Sequence, residues 1–163
     1  MDATPVLSLL ARLLAETKLE AVVIGNAGAA LQGAPVTTVD IDFYFRETAA
    51  NVRKLKRLAQ AMGATIYRPF YPASGMFRLH RDSDGLQVDF MARIDGIRSF
   101  EGVRSRATKM ELGGHPLLVA SLADIIRSKE AAGRPKDAAV LRLLRDAAKE
   151  AETEDGEEGP SPG

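Results

Sequence analysis

The chain of 163 residues contains no cysteine, which excludes thiol nucleophiles, cysteine-ligated zinc and disulfides. It has no apolar run of the length a membrane-spanning helix needs, roughly 18 residues. The N-terminus lacks the basic start and small-residue cleavage pattern of a secretory signal. A cytoplasmic protein with no membrane partner is expected. Neither Gly-x-Gly-x-x-Gly nor Gly-Lys-Ser/Thr occurs, against both the dinucleotide fingerprint and the Walker-type phosphate loop. Gly-x-Ser-x-Gly is missing too, which removes the nucleophile elbow of serine hydrolases. The two histidines, His80 and His115, lie far apart and form no metal-ligand pair.

Net charge is also missing, but only on average. Lys and Arg number 22, and so do Asp and Glu. Six of those acids and no base fall between Glu150 and Gly163, so residues 1–149 carry 22 bases against 16 acids, a formal +6. The expected organisation is one domain over 1–149 and an acidic, disordered tail over 150–163. A basic body permits a nucleotide or nucleic-acid partner without requiring one.

Hydrophobic periodicity gives the elements. Residues 5–18 read as an amphipathic helix. Residues 21–25 (AVVIG) read as a buried strand leading into a small-residue helix, and 34–39 (APVTTV) as a loop or extended lead-in. A second strand follows over 40–45, then a helix over 48–63 closed by Gly63. A third strand is expected within 64–70, and hairpins over 76–94, turned by Asp-Gly, and 109–120. Two helices close the domain. Ser121 caps the first, with Asp124 at capping-box distance, and Gly133 ends it. Pro135 starts the second, which runs to about Lys149. Strands and helices so mixed predict an α/β (α+β) domain, a mixed β-sheet with helices packed on it.

The second strand, DIDFYF, carries Asp40 and Asp42 inside a run that otherwise reads as buried. Alternation puts Asp40, Asp42 and Tyr44 on one face and Ile41, Phe43 and Phe45 on the core face. The two carboxylates would stand about 7 Å apart at Cα. They repel, and a hard divalent cation resolves the repulsion: Mg²⁺, with Mn²⁺ the next choice. In LQVDFMA, Asp89 falls on the non-core face of its own strand. If that strand lies beside 40–45, three carboxylates converge, two to hold metal and the third to share it and accept a proton from an attacking hydroxyl. The alternative is three acids on a solvated sheet face.

Before the strand, Gly25-Asn26 joins a buried strand to a helix start. Free backbone N–H groups there suit phosphate, Gly25 allows close approach, and the Asn26 amide can donate. Gly28 reads as a helix-packing residue. Near the end of the chain, Leu122, Ile125, Ile126 and Lys129 share one helical stripe, while Asp124, Arg127 and Glu130 lie more outward. Asp137 shares a stripe with Val140, Leu141 and Leu144. An inward Lys and an inward Asp need partners. Either Lys129 and Asp137 bridge the two helices, or Lys129, helped by Arg134 or Lys136, reaches triphosphate oxygens.

Gly25-Asn26, then Asp40-Ile41-Asp42, then the strand residue Asp89 resemble the signature of the nucleotidyltransferase superfamily of the polymerase-beta type, over roughly residues 20–146. The segment 122–146 is similar to the C-terminal part of small bacterial members related to AbiEii-type toxins. The resemblance implies a mixed-sheet nucleotidyltransferase fold and Mg²⁺-dependent transfer of NMP from an NTP to a hydroxyl on RNA (tRNA), protein or a small molecule. It implies Asp40, Asp42 and Asp89 at the metal, Lys129 in catalysis, and Gly25, Asn26, Arg134, Lys136 and Asp137 at the nucleotide. Asn26 stands where the pattern has Gly or Ser, and Val36 where many relatives carry Arg. The rival expectation is a degenerate binding or regulatory module, such as a toxin–antitoxin component with a protein partner.

Overall fold

The structure, a computed structural model, describes residues 4–36, 40–69 and 75–157. An interior strand of its sheet is β1 (Ala21–Ile24), four apolar residues all buried. A strand covered on both faces needs such an unbroken apolar run. β2 (Ile41–Phe45) pairs antiparallel with β1 on one side, Ile24 opposite Asp42. β3 (Thr65–Tyr67), β4 (Met76–Arg81) and β5 (Leu86–Met91) follow in the chain, then β6 (Thr108–Leu112) and β7 (His115–Val119). They form a seven-stranded sheet in the order β3-β4-β5-β2-β1-β7-β6. β5 runs parallel to β2, and β7 parallel to β1. The expected mixed α/β sheet is the observed architecture.

Both faces of the sheet are packed. On one, Phe43, Phe45, Phe77 and Phe90 meet α1 (Thr4–Thr17) and α3 (Ala49–Met62), with Phe43 and Phe90 stacked at 4.8 Å. α3 is delimited as expected: Thr48 Oγ1 accepts from Asn51 N–H, and Gly63 closes it at φ +70. On the other face Val22, Ile24 and Tyr44 pack with Phe100, Val103, Ile125 and Leu144. These come from α4 (Phe100–Arg106), α5 (Leu122–Ala132) and α6 (Ala138–Glu157). The face assigned to Asp42 is therefore not a bare solvated surface; Tyr44, two residues on, is buried. α2 (Gly25–Leu31) connects β1 to β2.

Several expectations need correction. β2 starts at Ile41, so Asp40 sits in the bend before the strand and is exposed. α4 was not anticipated; with only Phe100 and Val103 turned inward it is too short to show a period, and Ser99 caps it by accepting from Gly102 N–H. Pro135 opens a 3₁₀ turn (Pro135–Asp137) before α6. α6 then overruns the expected end at Lys149 and continues to Glu157, into the acidic segment. Ala and Glu there are good helix formers, so the backbone stays helical although the side chains of residues 149–153 are exposed. Ser121 caps α5, but Asp124 completes no capping box and is buried, not outward. Residues 37–39 of the lead-in to β2, Phe70 and 158–163 of the tail lie outside the described residues.

Phe90→Ala should cost about 3–5 kcal/mol, because it removes a fully buried ring from the stack with Phe43. Urea unfolding of the variant checks this; a loss under about 1 kcal/mol would show that the sheet core does not depend on that contact.

Candidate active site

The turn from β1 into α2 brings backbone against a carboxylate. Gly25 has φ +64, in the left-handed region open to glycine, and a Cβ there would lie 3.0 Å from Asp42 Oδ2. Only glycine leaves the Asp42 carboxylate its place. Asn26 follows with its Oδ1 buried and, among the described residues, without a hydrogen-bond partner. Gly28 serves packing, as expected: a Cβ would meet Ile125 Cδ1 at 3.1 Å and Val23 O at 3.2 Å.

The parallel register of β2 and β5 sets Asp42 beside Asp89. Neighbouring strands are about 4.8 Å apart, so the two acids share one face at close range. Asp89 is 6% exposed and is not alone. Arg78, directly opposite on β4, donates from Nε to Oδ1 at 2.9 Å and from Nη2 to Oδ2 at 3.2 Å. The Asp89 bonds push the Arg78 guanidinium further up its already high range. Sequence reasoning missed Arg78. The Asp-Gly hairpin held the signal, since its register sets 78 against 89.

Asp42 is charged at a cost. Burial, then the negative charges of Asp89 and Asp40, raise its carboxyl from the ordinary 3.8 to about 6, against the opposing pull of Lys129 and Arg134. Among the described residues no three His, Cys, Asp or Glu side chains are grouped as metal ligands. Arg78 takes both oxygens of Asp89, and Asp40 precedes the strand.

A cavity of about 440 Å³ opens beside Asp42, bordered by Gly25, Asp42, Arg93, Ser128, Lys129 and Arg134 among others. Lys129 is 5% exposed. Its Nζ lies 3.5 Å from Asp137 Oδ1, and Arg134 Nε donates to Asp137 Oδ2 at 2.8 Å. Burial opposes ionisation of Asp137, but the Arg134 hydrogen bond and the charges of Lys129 and Arg134 outweigh it and hold its carboxyl below the usual range. The Lys129–Asp137 bridge is thus present, and the same Lys129 borders the cavity. Lys136 is exposed, and Asp40, Asp89, Asn26, Lys136 and Asp137 are not among the lining residues. Arg93, unforeseen from sequence, extends the Asp89 face beyond the end of β5 at Met91.

Two consequences follow from this crowding. The raised Asp42 means that folding is helped by its protonation. That help is complete below about pH 4 and lost as pH rises through 6. Asp42→Asn should therefore exceed the native chain in stability at pH 8, on the order of 3 kcal/mol, with the gap closing near pH 4. Urea titrations at the two pH values check it; an equal gap at both would contradict it. Arg78→Ala leaves Asp89 buried and unpaired and should cost about 3 kcal/mol. Adding Asp89→Asn should restore much of that stability in the same titration, and no recovery would show that Arg78 acts through packing instead.

The fold has counterparts among solved structures. TM1012 of Thermotoga maritima, assigned as a nucleotidyltransferase, is 25% identical, with a TM-score of 0.62 over 87% of this chain and 91% of that one. The lincosamide antibiotic adenylyltransferase LnuA, solved with lincomycin bound, shares the fold at 13% identity, TM-score 0.62, over 86% of this chain and 95% of that one. ANT(2″)-Ia, solved with adenylyl-2″-tobramycin, does so at 16% identity, TM-score 0.61, over 95% and 92%. No curated protein sequence matches the chain. The profile of one family matches residues 4–155, nearly the whole chain, and by that match the protein belongs to the nucleotidyl transferases of unknown function (DUF2204).

Proposed function

We propose that the protein moves an NMP from an NTP to a hydroxyl acceptor with Mg²⁺ as cofactor. The observation that carries this reading is one cavity bordered by Gly25, Asp42, Lys129 and Arg134. A carboxylate short of compensating charge there faces cations suited to phosphate. The residues fit a divalent cation. Asp42 is a hard oxygen donor, and its own carboxyl stays raised even with Lys129 and Arg134 near. Mg²⁺ commonly takes one or two protein carboxylates and completes its shell with water and substrate phosphates. Asp40 and Asp42 would hold it, with Asp89 beside them; Mn²⁺ would serve the same donors. When bound, the ion supplies charge neutralisation at the phosphates.

The chain's own residues do the rest. Lys129 and Arg134 bring positive charge to the β- and γ-phosphates, with Lys136 nearby in sequence and Asp137 fixing both cations. Gly25 leaves the phosphates room against the backbone, and the Asn26 amide can donate to them. The acceptor oxygen attacks the α-phosphorus, the bond from that phosphorus to the pyrophosphate oxygen breaks, and the hydroxyl proton passes to Asp89. Arg78 holds the Asp89 carboxylate in place through two hydrogen bonds, and each oxygen keeps a second lone pair to accept.

The same Arg78–Asp89 pair favours a second reading, since a fully ion-paired acid is also what a structural residue looks like. In that reading the chain is a nucleotide-binding module, a regulatory or toxin–antitoxin component related to the AbiEii type, and makes no transfer. The deciding experiment incubates the protein, Mg²⁺ and each α-labelled NTP with total tRNA and, separately, with cell protein. Label should pass from the native chain, and the Asp40→Ala/Asp42→Ala variant should lose at least about 100-fold. Mg²⁺-dependent NTP binding without transfer would favour the module; neither binding nor transfer would overturn both.

A further inference from the structure

Beside the cavity that holds Asp42 lies a second, of about 550 Å³, bordered by Gly96, Arg98, Ser99, Gly102, Arg106 and Arg127. The two share a wall. Asp95 and Ser128 border the first, and their chain neighbours Gly96 and Arg127 border the second. That wall is pressed tight: Gly96 has φ +75, and a Cβ there would lie 2.7 Å from Ala131 Cβ and 3.0 Å from Arg127 O.

The second cavity carries surplus positive charge. Among the described residues no acid borders it; Asp124, whose side chain is 2% exposed, lies behind two of its arginines. Arg106 donates to Asp124 from Nε at 2.9 Å and from Nη2 at 3.1 Å, and Arg127 from Nη1 at 3.3 Å. One carboxylate needs one cation, yet three guanidinium groups border the space, leaving a formal +2. Arg98 makes no ion pair among the described residues. Asp124 also fixes two of the three, so their forks are aligned before any ligand arrives. Gly102 adds a sign of shaping. Inside α4 glycine costs about 1 kcal/mol against alanine. A Cβ there would meet Arg106 Nη1 and Nη2 at 3.3 Å and Ser99 Oγ at 3.1 Å. The bare backbone gives the Arg106 guanidinium room beside the Ser99 hydroxyl.

We infer that this second cavity binds a phosphate of the acceptor, and that the acceptor is a phosphate-bearing hydroxyl compound, a nucleotide or the end of a nucleic-acid strand. The inference rests on the nucleotidyl-transfer reading and names its second substrate. Planar guanidinium forks match phosphate oxygens two at a time, and the volume falls within the range of small-molecule sites, about 300–1,000 Å³. Because chain neighbours border the two cavities, an acceptor anchored by its phosphate in the second can extend its sugar hydroxyl toward the first. A polycationic aminoglycoside would meet like charge.

Calorimetry on the full chain tests this. The protein is first saturated with Mg²⁺ and a non-hydrolysable ATP analogue, which fills the first cavity. It is then titrated with AMP, with a short 5′-phosphorylated oligoribonucleotide and with tobramycin. At least one phosphate probe should bind, more weakly as salt rises. Arg98→Glu should weaken that binding about tenfold or more, Arg98→Ala less, with the analogue's affinity unchanged in both. AMP as the better probe would identify a mononucleotide acceptor, and the oligoribonucleotide as the better one a strand end. Tobramycin binding more tightly than either, no phosphate binding, or binding indifferent to Arg98→Glu would overturn the inference while leaving nucleotidyl transfer standing. Failure of the analogue itself to bind would overturn the parent reading, and the acceptor role with it.

Discussion

The structure turns on one pairing: β2 beside β5, parallel, with Asp42 next to Asp89. Two carboxylates are set side by side by the register, with Asp40 close enough in charge to raise Asp42 further. Nothing in a sheet demands this, and hydrophobic residues at both positions would pack more easily. The chain meets the repulsion unequally. Asp89 receives Arg78 through two hydrogen bonds. Among the described residues Asp42 receives no such bond, and it feels the charges of Lys129 and Arg134, which border the same cavity. One acid is thereby fixed as a charged pair and the other left undercompensated, which is the state a phosphate-linked divalent cation would complete.

The surrounding fold keeps that imbalance in place. Sheet residues alternate between two apolar layers, the phenylalanine stack under α1 and α3 and the Tyr44–Phe100 layer under α4 to α6. Each layer pins β2 from one side, so the strand cannot slip by a residue without exchanging its aspartate for a phenylalanine. Gly25 presses against Asp42 from the adjoining turn. α5 contributes from its two sides. Lys129 reaches Asp137 and the first cavity, while Arg127, paired with Asp124, borders the second. A single helix therefore links the nucleotide side to the proposed acceptor side.

Much of this was legible in the chain. The continuous apolar run of β1, the alternation across 41–45 and the Asp-Gly hairpin are local patterns, and they put Asp42 and Asp89 on matching faces before any pairing was known. The helical stripe likewise turned Lys129 and Asp137 inward. Features that depend on which elements meet were not legible. Arg78 belongs to Asp89 only once β4 and β5 are zipped. Asp124 reads as an outward capping partner until Arg106, from a helix too short to show a period, reaches it. Arg93 and Arg98 stand outside the regular elements, where no periodicity exists. The overrun of α6 reflects helix propensity continuing after burial has ended, a balance that charge composition alone misjudges.

The most direct measurement is a crystal structure of the chain with Mg²⁺ and a non-hydrolysable NTP analogue. The account predicts the triphosphate between Gly25 and the Lys129–Arg134 pair, with the cation on Asp42 and the Arg78–Asp89 bonds intact. A nucleotide bound elsewhere, or a cation that leaves Asp42 untouched, would contradict it.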